Sequence, residues 1–184
     1  MLEGMFDFEA DAEAAVASGG FLQSFRNLVP PGVGALDVDH YAPGKAIVWL
    51  VGVDPTGACV SATVRLVQND EHAWAAESNT SESWEGWFDY AHDRPGEAWP
   101  VWGPILALGY EGGSGRPGNA YYAVRGIASA DVVGIEFGIR CHSRRRGIDS
   151  PTGAFIVAVP HPILDESTIF KITLRGGRTV DLNP

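Results

Sequence analysis

In the last third of the chain the apolar residues fall into short runs separated by turn residues. Residues 121–128, 132–141, 154–160, 169–175 and 179–182 read as strands, with Ser129-Ala130-Asp131 and Gly176-Gly177 as turns. Short apolar or alternating runs bounded by Gly, Pro, Asp and Ser predict antiparallel strands. Residues 45–53 (KAIVWLVGV) form a near-continuous apolar run, which predicts a strand buried on both sides. Asp54-Pro55-Thr56-Gly57 has type I turn chemistry. Residues 60–68 then alternate, with Val60, Ala62, Val64 and Leu66 opposite Ser61, Thr63, Arg65 and Val67. The two runs predict a hairpin. Further strands are expected at 73–77, at 84–90 and at 104–110.

One segment carries a helical pattern. Around residues 8–28, Phe8, Ala12, Ala15 and Val16 fall near one face, and Asp7, Glu9, Asp11 and Glu13 favour a helix start. Gly19-Gly20 breaks it, and Pro30-Pro31-Gly32 ends any second turn built on Leu22, Phe25 and Leu28. With eight to ten strands expected, the chain predicts an all-β fold: an antiparallel β-sandwich, immunoglobulin-like or related, with a short N-terminal helix. Residues 1–30 form the helical segment and 31–184 a single sandwich domain. The run 112–119 (GGSGRPGN) is the one plausible internal boundary. The roughly 65 residues beyond it would make a marginal domain alone, so an inter-strand connection is the preferred reading.

Charge narrows the partners. The chain of 184 residues has net charge −10, unevenly spread. Residues 1–97 hold 16 acids and 4 bases, or −12; residues 98–184 hold 7 acids and 9 bases, or +2. Phosphate backbones need clustered Lys and Arg, so nucleic acid is not an expected partner. The acidic half reads as a solvated surface or as a site for cations or a basic partner. Two cysteines, Cys59 and Cys141, lie at predicted strand edges. They are a candidate disulfide, which would need an oxidising compartment, or two buried thiols. No stretch approaches the ~18 apolar residues of a membrane helix. The first residues lack the basic and apolar regions of a signal peptide, so an exported protein would need a leader upstream.

The run VRGIASADVVGIEF, followed by TGAFIVAVP and FKITLRGGRTVDL, resembles β-sandwich modules of uncharacterised actinobacterial proteins. Such modules often stand outside the membrane behind a single membrane helix. The resemblance covers about the last third of the chain and rests on strand and turn patterns. It implies an immunoglobulin-like fold and slightly favours an extracytoplasmic place over a cytoplasmic one. It brings no catalytic residue. The chain departs from the pattern at 141–150 (CHSRRRGIDS), which is longer and more basic than a tight turn.

Four groups of residues are candidate sites. Five of the six tryptophans lie between positions 74 and 102, among acids. Trp84 and Trp87, with Asp89, His92 and Asp93, could form a glycan- or peptide-binding face, since rings stack on sugars and carboxylates accept their hydroxyls. The alternative is that these rings are core. Asp37 and Asp39, or Asp89 and Asp93, place oxygen ligands in what reads as loop, a pattern suited to Ca²⁺. Isolated loop acids are more often simply solvated. Glu82, Glu85 or Asp89 could flank a sugar for glycoside chemistry, though no spacing fixes which, and an Asp/His/Glu cluster near 85–97 could serve a hydrolase. Cys141 and His142 are adjacent on a predicted strand edge and would point to opposite faces, against a nucleophile pair. Arg144, Arg145 and Arg146 could contact an anion or an acidic partner, or form a solvated hairpin tip. The sequence therefore reads as a non-enzymatic binding domain with a protein or glycan partner and no required cofactor. A carbohydrate-binding module and a hydrolase are the alternatives.

Overall fold

The computed structural model describes residues 34–53, 59–71, 73–84, 105–113, 120–139, 142–150, 153–160 and 168–182. The expected N-terminal helix lies outside them. All regular structure among the described residues is β, in antiparallel sheets. The strands are β1 (Gly34–Ala42), β2 (Lys45–Val53), β3 (Cys59–Gln68), β4 (Trp74–Trp84), β5 (Ile105–Gly113) and β6 (Tyr121–Ala128). They continue with β7 (Val132–Ile139), β8 (His142–Gly147), β9 (Ala154–Val159), β10 (Thr168–Leu174) and β11 (Thr179–Asp181).

The chain divides into two compact units. Described residues 34–38 and 43–84 belong to the first; 39–42 and 105–182 belong to the second. The first is organised by the sheet β1-β2-β3-β4. Pro43 and Gly44 turn the chain from β1 into β2, with Gly44 at φ 63 and its carbonyl accepting from the Gln68 amide at 2.8 Å. β2 and β3 run in unbroken register from Lys45↔Val67 to Val53↔Cys59. One face pairs Val48 with Val64 and Ala46 with Leu66; the other pairs Trp49 with Thr63 and Ile47 with Arg65. Both sets are buried. The polar members of the alternating β3 pattern are thus interior positions; Ser61 and Arg65 meet partners there, while the Thr63 hydroxyl has none among the described residues. Trp49 Nε1 donates to Ser61 Oγ at 3.4 Å. Arg65 forms a 2.8 Å ion pair with Glu77. A register shift between Arg65 and Leu66 leaves Glu77 as the extra residue of β4, and a bulge of this kind re-aims a side chain.

The second unit has two sheets, β11-β10-β7-β8 and β5-β6-β9. The segment 114–119 connects β5 and β6, which pair with each other. Ser129–Asp131 carries the chain from β6 in one sheet to β7 in the other, closed by the Val132 amide donating to Ser129 O at 3.0 Å. Buried side chains from both sheets form one cluster, among them Val124, Phe155 and Val157 from one sheet and Ile135, Phe137 and Phe170 from the other. Full burial of each such side chain contributes ~1.5–3 kcal/mol. Tyr110, Tyr122 and Phe137 extend it as a chain of rings with centroids 5.7–6.3 Å apart. β9 (AFIVAV) is buried at all six positions. The Gly176-Gly177 turn joins β10 to β11 with φ 97 and 88, conformations that favour glycine.

Two strands depart from the sequence reading. Residues 37–40, read as loop, lie in β1, and the basic stretch read as a hairpin turn contains β8. β8 (HSRRRG) has no apolar side chain, and in β1 (GALDVDHYA) the buried positions are Asp39 and Tyr41.

Candidate functional site

A strand of consecutive arginines divides its side chains between two faces. On β8, Arg144 and Arg146 go one way and Arg145 the other, and they meet different partners. Register pairs Arg144 with Phe137 and Arg146 with Ile135, both core residues of β7. From there Arg144 Nη1 donates to Ala158 O at 2.6 Å, and Arg146 Nη1 donates to Ile156 O at 2.6 Å. Both acceptors are on β9, the outer strand of the sheet β5-β6-β9. Arg144 also forms a two-pronged pair with Asp39, Nη1 to Oδ2 and Nη2 to Oδ1, the latter at 2.9 Å. A third bond runs from Nη2 to the His40 carbonyl at 3.1 Å. Asp39 is 3% exposed and also accepts from the Ala158 amide at 2.7 Å. Both its oxygens are therefore engaged, as counter-ion of Arg144 and as acceptor for β9. Loss of hydration lowers the pKa of the His40 imidazole, Arg146 and Arg144 add to this, and Asp39 opposes it.

Arg145 points to the other face and enters a charged row. Register aligns Asp181, Lys171, Glu136 and Arg145 across β11, β10, β7 and β8. Signs alternate along it. Lys171 Nζ lies 3.2 Å from Asp181, and Arg145 Nη2 lies 2.7 Å from Glu136. Ser143 Oγ donates to the other Glu136 oxygen at 2.9 Å. The Arg145 hydrogen bond and then the Ser143 hydroxyl hold the Glu136 carboxyl below its ordinary range; burial opposes them, and the charges of Arg145 and Lys171 help. The adjacent rows carry glycine: Gly134 lies between Thr173 and Gly147, and Gly138 between Ile169 and Ser143. At Gly138, with φ 147, a Cβ would stand 2.3 Å from His142 O, so no side chain fits. On β7 itself, Glu136 therefore has no side chain on either side of it along that face.

Of the three arginines, Arg144 pairs with Asp39 and Arg145 with Glu136 within the chain, while Arg146 donates to the Ile156 carbonyl. Arg144 and Arg146 do not form a solvated tip, because they are half-buried against β9. Asp37 shares β1 with Asp39. Trp84 is the last residue of β4, in register with Cys59. Trp87, Asp89, His92, Asp93, Glu85 and Cys141 lie outside the described residues. Glu82 lies on β4, in register with Ser61. Among the described residues, no group of three or more His, Cys, Asp or Glu is gathered as a metal would require. No described helix is long and apolar enough to cross a membrane. Nothing local in the sequence marks the Asp39–Arg144 pair, whose members are 105 residues apart. Comparison with family models, with curated proteins and with solved structures found no match.

Proposed function

We propose that the second unit is a β-sandwich and that the protein is a non-catalytic interaction domain. Its contact surface is the outer face of β11-β10-β7-β8, and its partner is a protein with a charge row of complementary order. The carrying observation is the register-aligned row Asp181, Lys171, Glu136 and Arg145. Its side chains are positioned by their in-chain pairs before a partner arrives, which lowers the ordering cost of binding. Alternating charges give selectivity, because a partner out of register meets like charges. The shared cluster of Phe137, Phe155 and Phe170 supports the sandwich, since two sheets that bury one set of side chains pack face to face.

The chain has two lysines, Lys45 on β2 and Lys171 in the row, which makes amine cross-linking selective. Cross-linking in extracts of cells that express the protein should join Lys171, and not Lys45, to peptides of one partner. The Arg145→Glu substitution should remove that product. The reading fails if Lys171 forms no cross-link to another protein, or if the product survives Arg145→Glu.

A further inference from the structure

The outer strand of a sheet presents unpaired N–H and C=O groups, a template for another strand. β9 is the outer strand of β5-β6-β9. The N–H and C=O of one residue in an antiparallel strand point the same way, and the direction alternates along the strand. Ala158 has both groups bonded by side chains, its N–H by Asp39 at 2.7 Å and its C=O by Arg144 at 2.6 Å. Ile156, two residues earlier, has its C=O bonded by Arg146 at 2.6 Å. Val157 and Val159 therefore bond toward β6, while Ile156 and Ala158 form the outward edge. Three side chains do there what a neighbouring strand would do.

We propose that this edge is a strand-acceptor site held shut by Asp39, Arg144 and Arg146, and that its occupant when they withdraw is β9 of a second copy. An incoming strand must be apolar on both sides, because β9 is buried at every position. The segment AFIVAV meets that condition. It is uncharged, β-branched or aromatic at four of its six positions and free of Pro and Gly, the composition that favours self-pairing. Two β9 edges match about a two-fold axis through Val157. That axis sets Ala158 of each copy opposite Ile156 of the other. The groups that pair across it include those now capped, Ala158 N–H and C=O and Ile156 C=O. The contact is isologous and closes as a dimer.

The test uses the full chain with Asp39→Asn and, separately, Arg144→Gln. Each removes a charged hydrogen bond to the cap and should tighten self-association about ten- to a hundredfold over the parent, read by light scattering across a dilution series. Amide exchange in residues 154–159 should slow as the dimer fills. Adding Ala158→Pro to the Asp39→Asn variant should abolish the dimer, because proline offers no N–H on the outward edge and leaves the β6 side intact. Should both first variants fail to fold, Arg146→Gln removes the Ile156 cap alone and should give the same association and exchange changes. Folded variants that stay monomeric at every concentration overturn the proposal. So does association that persists with Ala158→Pro, which would place it elsewhere on the surface.

Discussion

Removing Arg144 should destabilise β9 more than removing Asp39. Arg144→Ala leaves Asp39, 3% exposed, without its counter-charge and strips the cap from the Ala158 carbonyl. Breaking a buried pair from the side that strands a charge costs ~3–5 kcal/mol. Asp39→Ala leaves Arg144, whose side chain is 30% exposed and can turn to water. The loss is then dominated by the Ala158 N–H, an orphaned buried donor worth ~1–3 kcal/mol. The double variant strands no charge, so its cost should fall short of the sum of the singles by ~1–3 kcal/mol. Amide hydrogen exchange reports the opening free energy of β9 directly and does not require the two units to unfold together. At dilutions where the variants are monomeric, the Ala158 amide should exchange faster in all three, and fastest relative to its neighbours where Asp39 is absent. An Asp39→Ala cost equal to or above that of Arg144→Ala would overturn this ordering. A cost below about 1 kcal/mol for both, which is the range of a solvated surface pair, would overturn the buried pair.

The Glu136 carboxyl has a folded pKa below its unfolded one, so its contribution to stability is present above the unfolded value near 4.5 and is lost as pH falls through the folded value. Glu136→Gln should therefore cost ~0.5–1 kcal/mol at pH 7 in urea unfolding, and the gap should close in acid. Burial, helped by the charge of Tyr122, pushes the Tyr110 phenol up to about 12, and its hydroxyl has no partner among the described residues. Folded stability should fall as pH rises from about 10 toward 12, because the unfolded phenol gives up its proton first. Tyr110→Phe should flatten that fall and leave stability at pH 7 unchanged or raised, measured by thermal melts. Gly138→Ala should cost more than Gly176→Ala. The first forces a Cβ to 2.3 Å from His142 O, while the second meets open space and bears only the backbone strain of ~1–3 kcal/mol.

Much of the fold was legible in local pattern. β2, β6, β9 and β10 announce themselves by apolar runs between turn residues, and the Gly176-Gly177 turn by its two glycines. β1 and β8 did not, because a strand is recognised in sequence by its inward apolar positions. In β1 one inward position is Asp39, and in β8 they are Arg144 and Arg146. Each is acceptable inside because of a partner far along the chain, and no window of sequence holds both members. β3 shows the converse: its alternation was visible, but Ser61, Thr63 and Arg65 are buried on the face that alternation alone would assign to water. The charge row was hidden for the same reason. Asp181, Lys171, Glu136 and Arg145 are unremarkable singly, and only the pairing of four strands sets them in line.

The distance between Asp39 and β9 also has a meaning in time. Asp39 and Ala158 are 119 residues apart in the chain. At synthesis rates of about 5–20 residues per second, Asp39 leaves the ribosome roughly 6–24 s before the amide it will accept. Arg144 and Arg146 emerge ahead of β9 as well, so all three caps are already made when the AFIVAV strand appears. The segment with the greatest capacity to pair with a stranger is thus synthesised last among these four partners. Its edge can be covered as soon as it is formed.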